Sequence, residues 1–158
     1  MIPALPLRCA CRCGAVRLTV TAPPLITSAC HCRGCQRMTA SAYSLSILLL
    51  DAGLAVEGET VLGGPHGPEQ RHHHCARCLS WLFTRIEGMP EIVNLRATML
   101  DDLAWFVPFL ETATDEALPF ARLDAPRAFA SLPPAADFPD LMAAFAAQSP
   151  FAEETSHG

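Results

Sequence analysis

Three cysteines, Cys30, Cys32 and Cys35, fall within the six residues CHCRGC. Thiolates this close together are natural ligands for a soft divalent ion, and zinc is the usual occupant. A structural zinc takes four protein ligands in a tetrahedron. A catalytic zinc takes three and keeps one position exchangeable. The stretch therefore leaves two possibilities: a fourth ligand from elsewhere closes the site, or water or substrate fills the position.

Five further cysteines bear on that choice. Cys75-Ala76-Arg77-Cys78 is a half-site in which a tight turn brings two sulfurs to one ion. It needs a second pair, and Cys11-Arg12-Cys13-Gly14 is the best candidate, with Gly14 freeing the backbone to turn. A zinc on Cys11, Cys13, Cys75 and Cys78 would clip together segments far apart in the chain. Structural zinc contributes on the order of 10 kcal/mol in small metal-dependent folds. Cys30, Cys32, Cys35 and Cys9 then remain. If the three-sulfur site is open, a substrate thiol entering it would lose its proton and become a strong nucleophile. If Cys9 or a nearby histidine closes it, the site is a second structural zinc. Metal ligation is favoured over disulfides for clustered cysteines in a reducing compartment.

The motifs CRCGAV (11–16), CHCRGCQRMTASAYS (30–44), HCARCLSWLF (74–83) and VNLRATMLDD (93–102) together resemble the glutathione-dependent formaldehyde-activating enzyme (GFA) family, which includes the centromere-protein-V-like proteins. Motifs span residues 9 to 102, with weaker likeness in PFLETATDEALPFARLDAPRAF. The resemblance implies a mainly β, Mss4-like zinc-binding fold of small antiparallel sheets with short helices. It implies two zinc ions per chain: a structural one on Cys11, Cys13, Cys75 and Cys78, and a catalytic one on Cys30, Cys32 and Cys35. The implied activity is that of a carbon–sulfur lyase resembling S-(hydroxymethyl)glutathione synthase, joining glutathione to formaldehyde. Two departures stand out. Leu79 follows Cys78 where many members have glycine, and Cys9 is an additional thiol.

Other residues near these motifs carry weaker signals. His31 sits between two ligands and is a candidate donor or base. Arg33 and Arg37 flank Cys35, where positive charge favours thiolate and could receive a substrate carboxylate. Ser41 and Tyr43 are candidate partners for an aldehyde oxygen. Asp101 and Asp102 read either as paired carboxylates or as a turn cap. His72, His73 and His74 alternate faces if they lie on a strand, so at most two could share an ion. They read best as the polar edge of a strand leading into Cys75. Trp81, Trp105 and Phe106 read as core or pocket wall.

The elements that must hold these residues are mostly strands. Val16, Leu18 and Val20 alternate with polar neighbours, and 43–50, 54–59, 81–86 and 91–98 also read as strands. Turns are expected at 62–69 and 87–91, and a helical turn at MLDDLAWF. A Pro/Ala-rich extension follows from about 103 to 150, ending in a helix at DFPDLMAAFAAQ with Asp137 as N-cap. Residues 151–158 read as a frayed tail, and the 158 residues as one domain.

Composition narrows the function classes. All eleven basic residues are arginine, which excludes lysine Schiff-base and P-loop chemistry. The net charge of −5 argues against a nucleic-acid surface. No signal peptide or bilayer-spanning run is visible, so a cytoplasmic protein is expected. The expected partners are a small thiol such as glutathione and a small aldehyde. The alternative is a non-enzymatic zinc framework that binds a protein partner.

Overall fold

The computed structural model describes residues 3–64 and 69–151. Two β-sheets dominate. A three-stranded antiparallel sheet joins β1 (Leu7–Ala10), β2 (Arg17–Val20) and β5 (Leu54–Glu57) in the order β1-β2-β5. The larger sheet adds β3 (Ile26–Cys30), β4 (Ser44–Leu50), β6 (Thr60–Leu62), β7 (Gln70–Cys75), β8 (Trp81–Ile86), β9 (Met89–Arg96), β10 (Leu110–Thr112) and β11 (Arg127–Ala128). Its order is β11-β10-β3-β4-β9-β8-β7-β6. Among the described residues there are two helices, α1 (Arg33–Thr39) and α2 (Phe138–Ala146), and four short 3-10 turns. The mainly β expectation with a C-terminal helix is borne out, with one addition. β10 lies parallel to both β3 and β11, so the larger sheet is mixed rather than wholly antiparallel.

Strand β4 shows how the sheet separates two environments. Ile47 and Leu49 point one way into the larger core, which also holds Leu18, Phe83, Val93 and Leu95. Ser44, Ser46 and Leu48 occupy the alternate positions. Leu48 packs on a smaller core of Ile26, Phe109, Leu110, Leu141 and Phe145, while Ser44 and Ser46 are buried polar groups. A strand buried on both faces reads as nearly continuous apolar sequence, and SLSILLL does so apart from its serines.

The Pro/Ala-rich extension is tied into this frame. It contributes β10 and β11, and α2 lays Leu141 and Phe145 on the smaller core. Phe151 returns to the larger core, edge-on to Trp105 at 5.2 Å. Asp137 precedes α2 but makes no side-chain cap, because a 3-10 turn (Ala135–Asp137) already leads the chain in. The helical turn expected at MLDDLAWF is instead a 3-10 turn at Ala97–Met99 followed by a tight turn closed by Phe106 N–H on Leu103 C=O. The frayed tail lies outside the described residues except for Phe151, as do residues 65–68 of the 62–69 turn. Among the described residues no helix is long and apolar enough to cross a membrane.

The two aromatic rings Phe109 and Phe145 meet edge-on at 5.7 Å and carry the docking of α2. Phe145→Ala should lower the unfolding free energy by about 3 kcal/mol. Urea denaturation checks this, and a loss under about 1 kcal/mol would mean that α2 is not packed as described.

Candidate metal centres

Seven of the eight cysteines form two groups. The sulfurs of Cys11, Cys13, Cys75 and Cys78 all lie within 4.8 Å of one another, and so do those of Cys30, Cys32 and Cys35. A tetrahedral zinc with Zn–S near 2.3 Å requires S···S edges of about 3.8 Å. Cys11 to Cys13 measures 3.6 Å and Cys13 to Cys75 measures 3.8 Å. Both groups fit the ion.

The four-sulfur group is built from two turns. Between β1 and β2, Gly14 at φ +73° lets its N–H reach Cys11 C=O, and Val16 N–H points at the Cys11 sulfur at 3.2 Å. After β7, Leu79 N–H closes on Cys75 C=O and Cys78 N–H points at the Cys75 sulfur at 3.5 Å. Leu79 occupies the left-handed region at φ +58° with a mostly exposed side chain, a conformation that glycine adopts without strain. The Ser80 hydroxyl sits 3.2 Å from the Cys78 sulfur, and Ser80 pulls that thiol down to about 5.

The three-sulfur group sits where β3 runs into α1. Cys30 ends the strand, Cys32 caps the helix through its sulfur and Cys35 N–H, and Cys35 follows within the first turn. Hydrogen bonds from Cys32 and Cys35 hold the Cys30 thiol down to about 2, while the same contacts push Cys32 and Cys35 up.

Cys9 joins neither group. It lies in β1 opposite Leu18, buried in the larger core, and burial, with Asp101 assisting, pushes its thiol up to about 12. No histidine joins either group among the described residues. His31, just after β3, is fully buried, its Nε2 3.0 Å from Glu111 Oε1 and its ring edge-on to Tyr43. His72, His73 and His74 lie on β7, where His73 stacks on Phe83 and His74 on Trp81. Burial lowers the pKa of both His73 and His74. Arg33 and Arg37 stand exposed on α1, and the Arg33 N–H donates to Glu116. Ser41 is exposed just beyond the helix. Asp102 caps the Ala104 N–H, and Asp101 lines a surface cavity of about 250 Å³ with Arg8, Arg17 and Glu57. Of the two, Asp102 takes the turn-cap role.

Several buried polar residues around the three-sulfur group were not singled out from the sequence. Ser44 is the ladder partner of Cys30, and Thr112 pairs with Cys30 from the other side. Gln36 donates to the carbonyls of His31 and Glu116, fixing α1 against the extension. Glu111 accepts from Leu123 N–H. Burial alone would raise Glu111, but the Leu123 amide and His31 outweigh it and hold the carboxyl low. Arg96 is buried, with its guanidinium 4.1 Å over the Trp81 ring. Burial draws Arg96 down to about 10, so it stays charged at neutral pH. The available signal was a charged residue closing β9, directly after Leu95.

Residues 6–116 match the family described as glutathione-dependent formaldehyde-activating enzyme. The chain belongs to the GFA family. No curated protein matches the chain. Among solved structures, a Rhodobacter sphaeroides protein superposes with a TM-score of 0.50 at 20% identity, covering 60% of this chain and 88% of its own. That likeness shows the fold.

Leu79→Gly should raise stability by about 0.5–1 kcal/mol, because relief of left-handed strain outweighs the added freedom of the unfolded chain. Thermal unfolding of the metal-loaded protein reads this as a rise of a few degrees. A fall in midpoint would show that Leu79 contributes packing that its exposure does not suggest.

Proposed function

We propose that the protein is a zinc-dependent carbon–sulfur lyase that adds a small thiol, glutathione or a close relative, to a small aldehyde. The observation that carries this reading is the three-sulfur group, which has no fourth cysteine or histidine within ligand range among the described residues. Zinc bound there would lower the pKa of an entering thiol and fix its sulfur in place. The complementary reading for Cys11, Cys13, Cys75 and Cys78 is a closed, structural zinc.

The chain's own residues supply position and charge. Cys30 is held on both flanks by the β3–β4 and β3–β10 ladders, so its sulfur is set by a rigid sheet. Cys32 and Cys35 are fixed relative to each other by the first turn of α1. Gln36 and the Glu116 contacts clamp that turn against the extension. Arg33 and Arg37, exposed on the same helix, offer cationic groups to the carboxylates of a peptide-like thiol. His31 acts as an internal brace rather than as a base, since its ring is sealed from solvent and paired with Glu111.

The alternative, a zinc framework that only binds a protein partner, predicts no turnover. Purified protein with formaldehyde and glutathione should form the hydroxymethyl adduct faster than the spontaneous background. Cys32→Ser should return the rate to that background while leaving the far-UV circular dichroism unchanged. Equal rates with parent protein and Cys32→Ser would contradict the lyase reading and favour the binding framework.

A further inference from the structure

We propose that Arg96 is the fixed counter-charge of the Cys30, Cys32 and Cys35 group and sets how tightly these sulfurs hold a metal ion. The inference rests on reading that group as a metal site and is independent of which thiol or aldehyde is the substrate.

Charge balance is the first reason. Three thiolates outweigh the charge of one divalent ion, and an incoming thiolate adds to the excess. Near the surface, water screens such an excess. Cys30, Cys32 and Cys35 are all partly buried and sit against the interior of the sheet, where screening is weaker. A cation held nearby therefore bears directly on metal affinity.

Arg96 has the placement for this and no other evident anionic partner. Among the described residues no carboxylate lies within ion-pair range of its guanidinium. Its own contacts are neutral: Nη1 donates to Ser44 Oγ at 3.3 Å, Nη2 donates to Asn94 C=O at 3.3 Å, and the guanidinium plane rests on Trp81. Nε is buried and unpartnered. A buried charge without a counter-ion is strongly disfavoured, so an isolated Arg96 would be a liability to the fold. Ser44 supplies the connection. It stands opposite Cys30 in the β3–β4 ladder, and its hydroxyl accepts from Arg96. Arg96 thus holds the residue that faces Cys30 across the β3–β4 ladder, with Ser46 opposite Arg96 itself in the β4–β9 ladder. Outer partners of metal ligands typically change metal affinity ten- to a hundredfold when removed.

The four-sulfur group is balanced differently, which supplies an internal control. Cys13 is exposed to water there, and backbone N–H groups point at the sulfurs of Cys11 and Cys75. Arg96 is not part of that arrangement.

Competition with a chromogenic zinc chelator tests the proposal on the full chain. The parent should release two zinc ions. Arg96→Met, which keeps bulk and removes charge, should weaken one of them about tenfold or more and leave the other unchanged. Arg96→Lys, which keeps charge but loses the planar fork, should lose less than Arg96→Met. Metal-free Arg96→Met should unfold in urea no earlier than the metal-free parent, because a counter-charge, unlike a structural brace, is not needed when its partner ion is gone. The proposal is overturned if Arg96→Met holds both ions as tightly as the parent. It is also overturned if the lysine and methionine variants lose one ion equally, or if both ions weaken together. A parent that binds a single zinc overturns the metal reading of the Cys30 group itself, and that result appears before any substitution is made.

Discussion

Seven sulfur atoms held in two groups, each within 4.8 Å, are the constraint on which the rest of this structure depends. Thiols at that spacing share protons, and once ionised they repel one another unless a cation joins them. The fold places the four-sulfur group across two turns, after β1 and after β7, and so links the three-stranded sheet to the far side of the larger one. It places the three-sulfur group at a strand-to-helix junction, where two of the sulfurs are fixed by one helical turn. The first arrangement brings four cysteine sulfurs together. The second brings three, with no further cysteine or histidine in range among the described residues.

The larger sheet sets what surrounds the three-sulfur group. Ile47, Leu49, Val93 and Leu95 turn to the main core. On the other face the same strands present Ser44, Ser46 and Arg96, all buried. A polar patch of this kind inside a sheet is costly unless each group finds a partner, and a thiolate–metal site is a partner for both hydroxyl and guanidinium. The extension completes the surroundings from outside: β10 pairs with β3 beside Cys30, Glu111 braces His31, and the Glu116 carbonyl accepts from Gln36. The Cys30, Cys32 and Cys35 group and the C-terminal extension are thereby built on each other.

Much of this was legible in the residue pattern. Cysteine spacing alone paired Cys75 and Cys78 with Cys11 and Cys13, since a half-site must find a second pair. Alternation at Val16, Leu18 and Val20 and the apolar density of 43–50 marked β2 and β4. Strands β3 and β10 were missed because ITSAC and LET are short and mix small polar residues with apolar ones. Their status comes from pairing with each other and with β4. Helix α1 was hidden for a similar reason: RGCQRMT has little apolar periodicity, and its stability comes from the Cys32 cap and the Gln36 contacts. Arg96 and Glu111 could not be placed from sequence because their meaning lies in long-range neighbours, Ser44 and His31. The position of Cys9 was open for the same reason, and strand pairing with Leu18 resolves it into the core.

The central claim is that Cys30, Cys32 and Cys35 hold a zinc ion with one position free of protein ligands. Anomalous diffraction at the zinc edge from crystals of the metal-loaded protein tests it most directly. The account predicts two peaks per chain, one surrounded by the sulfurs of Cys11, Cys13, Cys75 and Cys78. The other should have three cysteine sulfurs and a non-protein fourth ligand. A single peak, or a second peak closed by a fourth protein side chain, would contradict it.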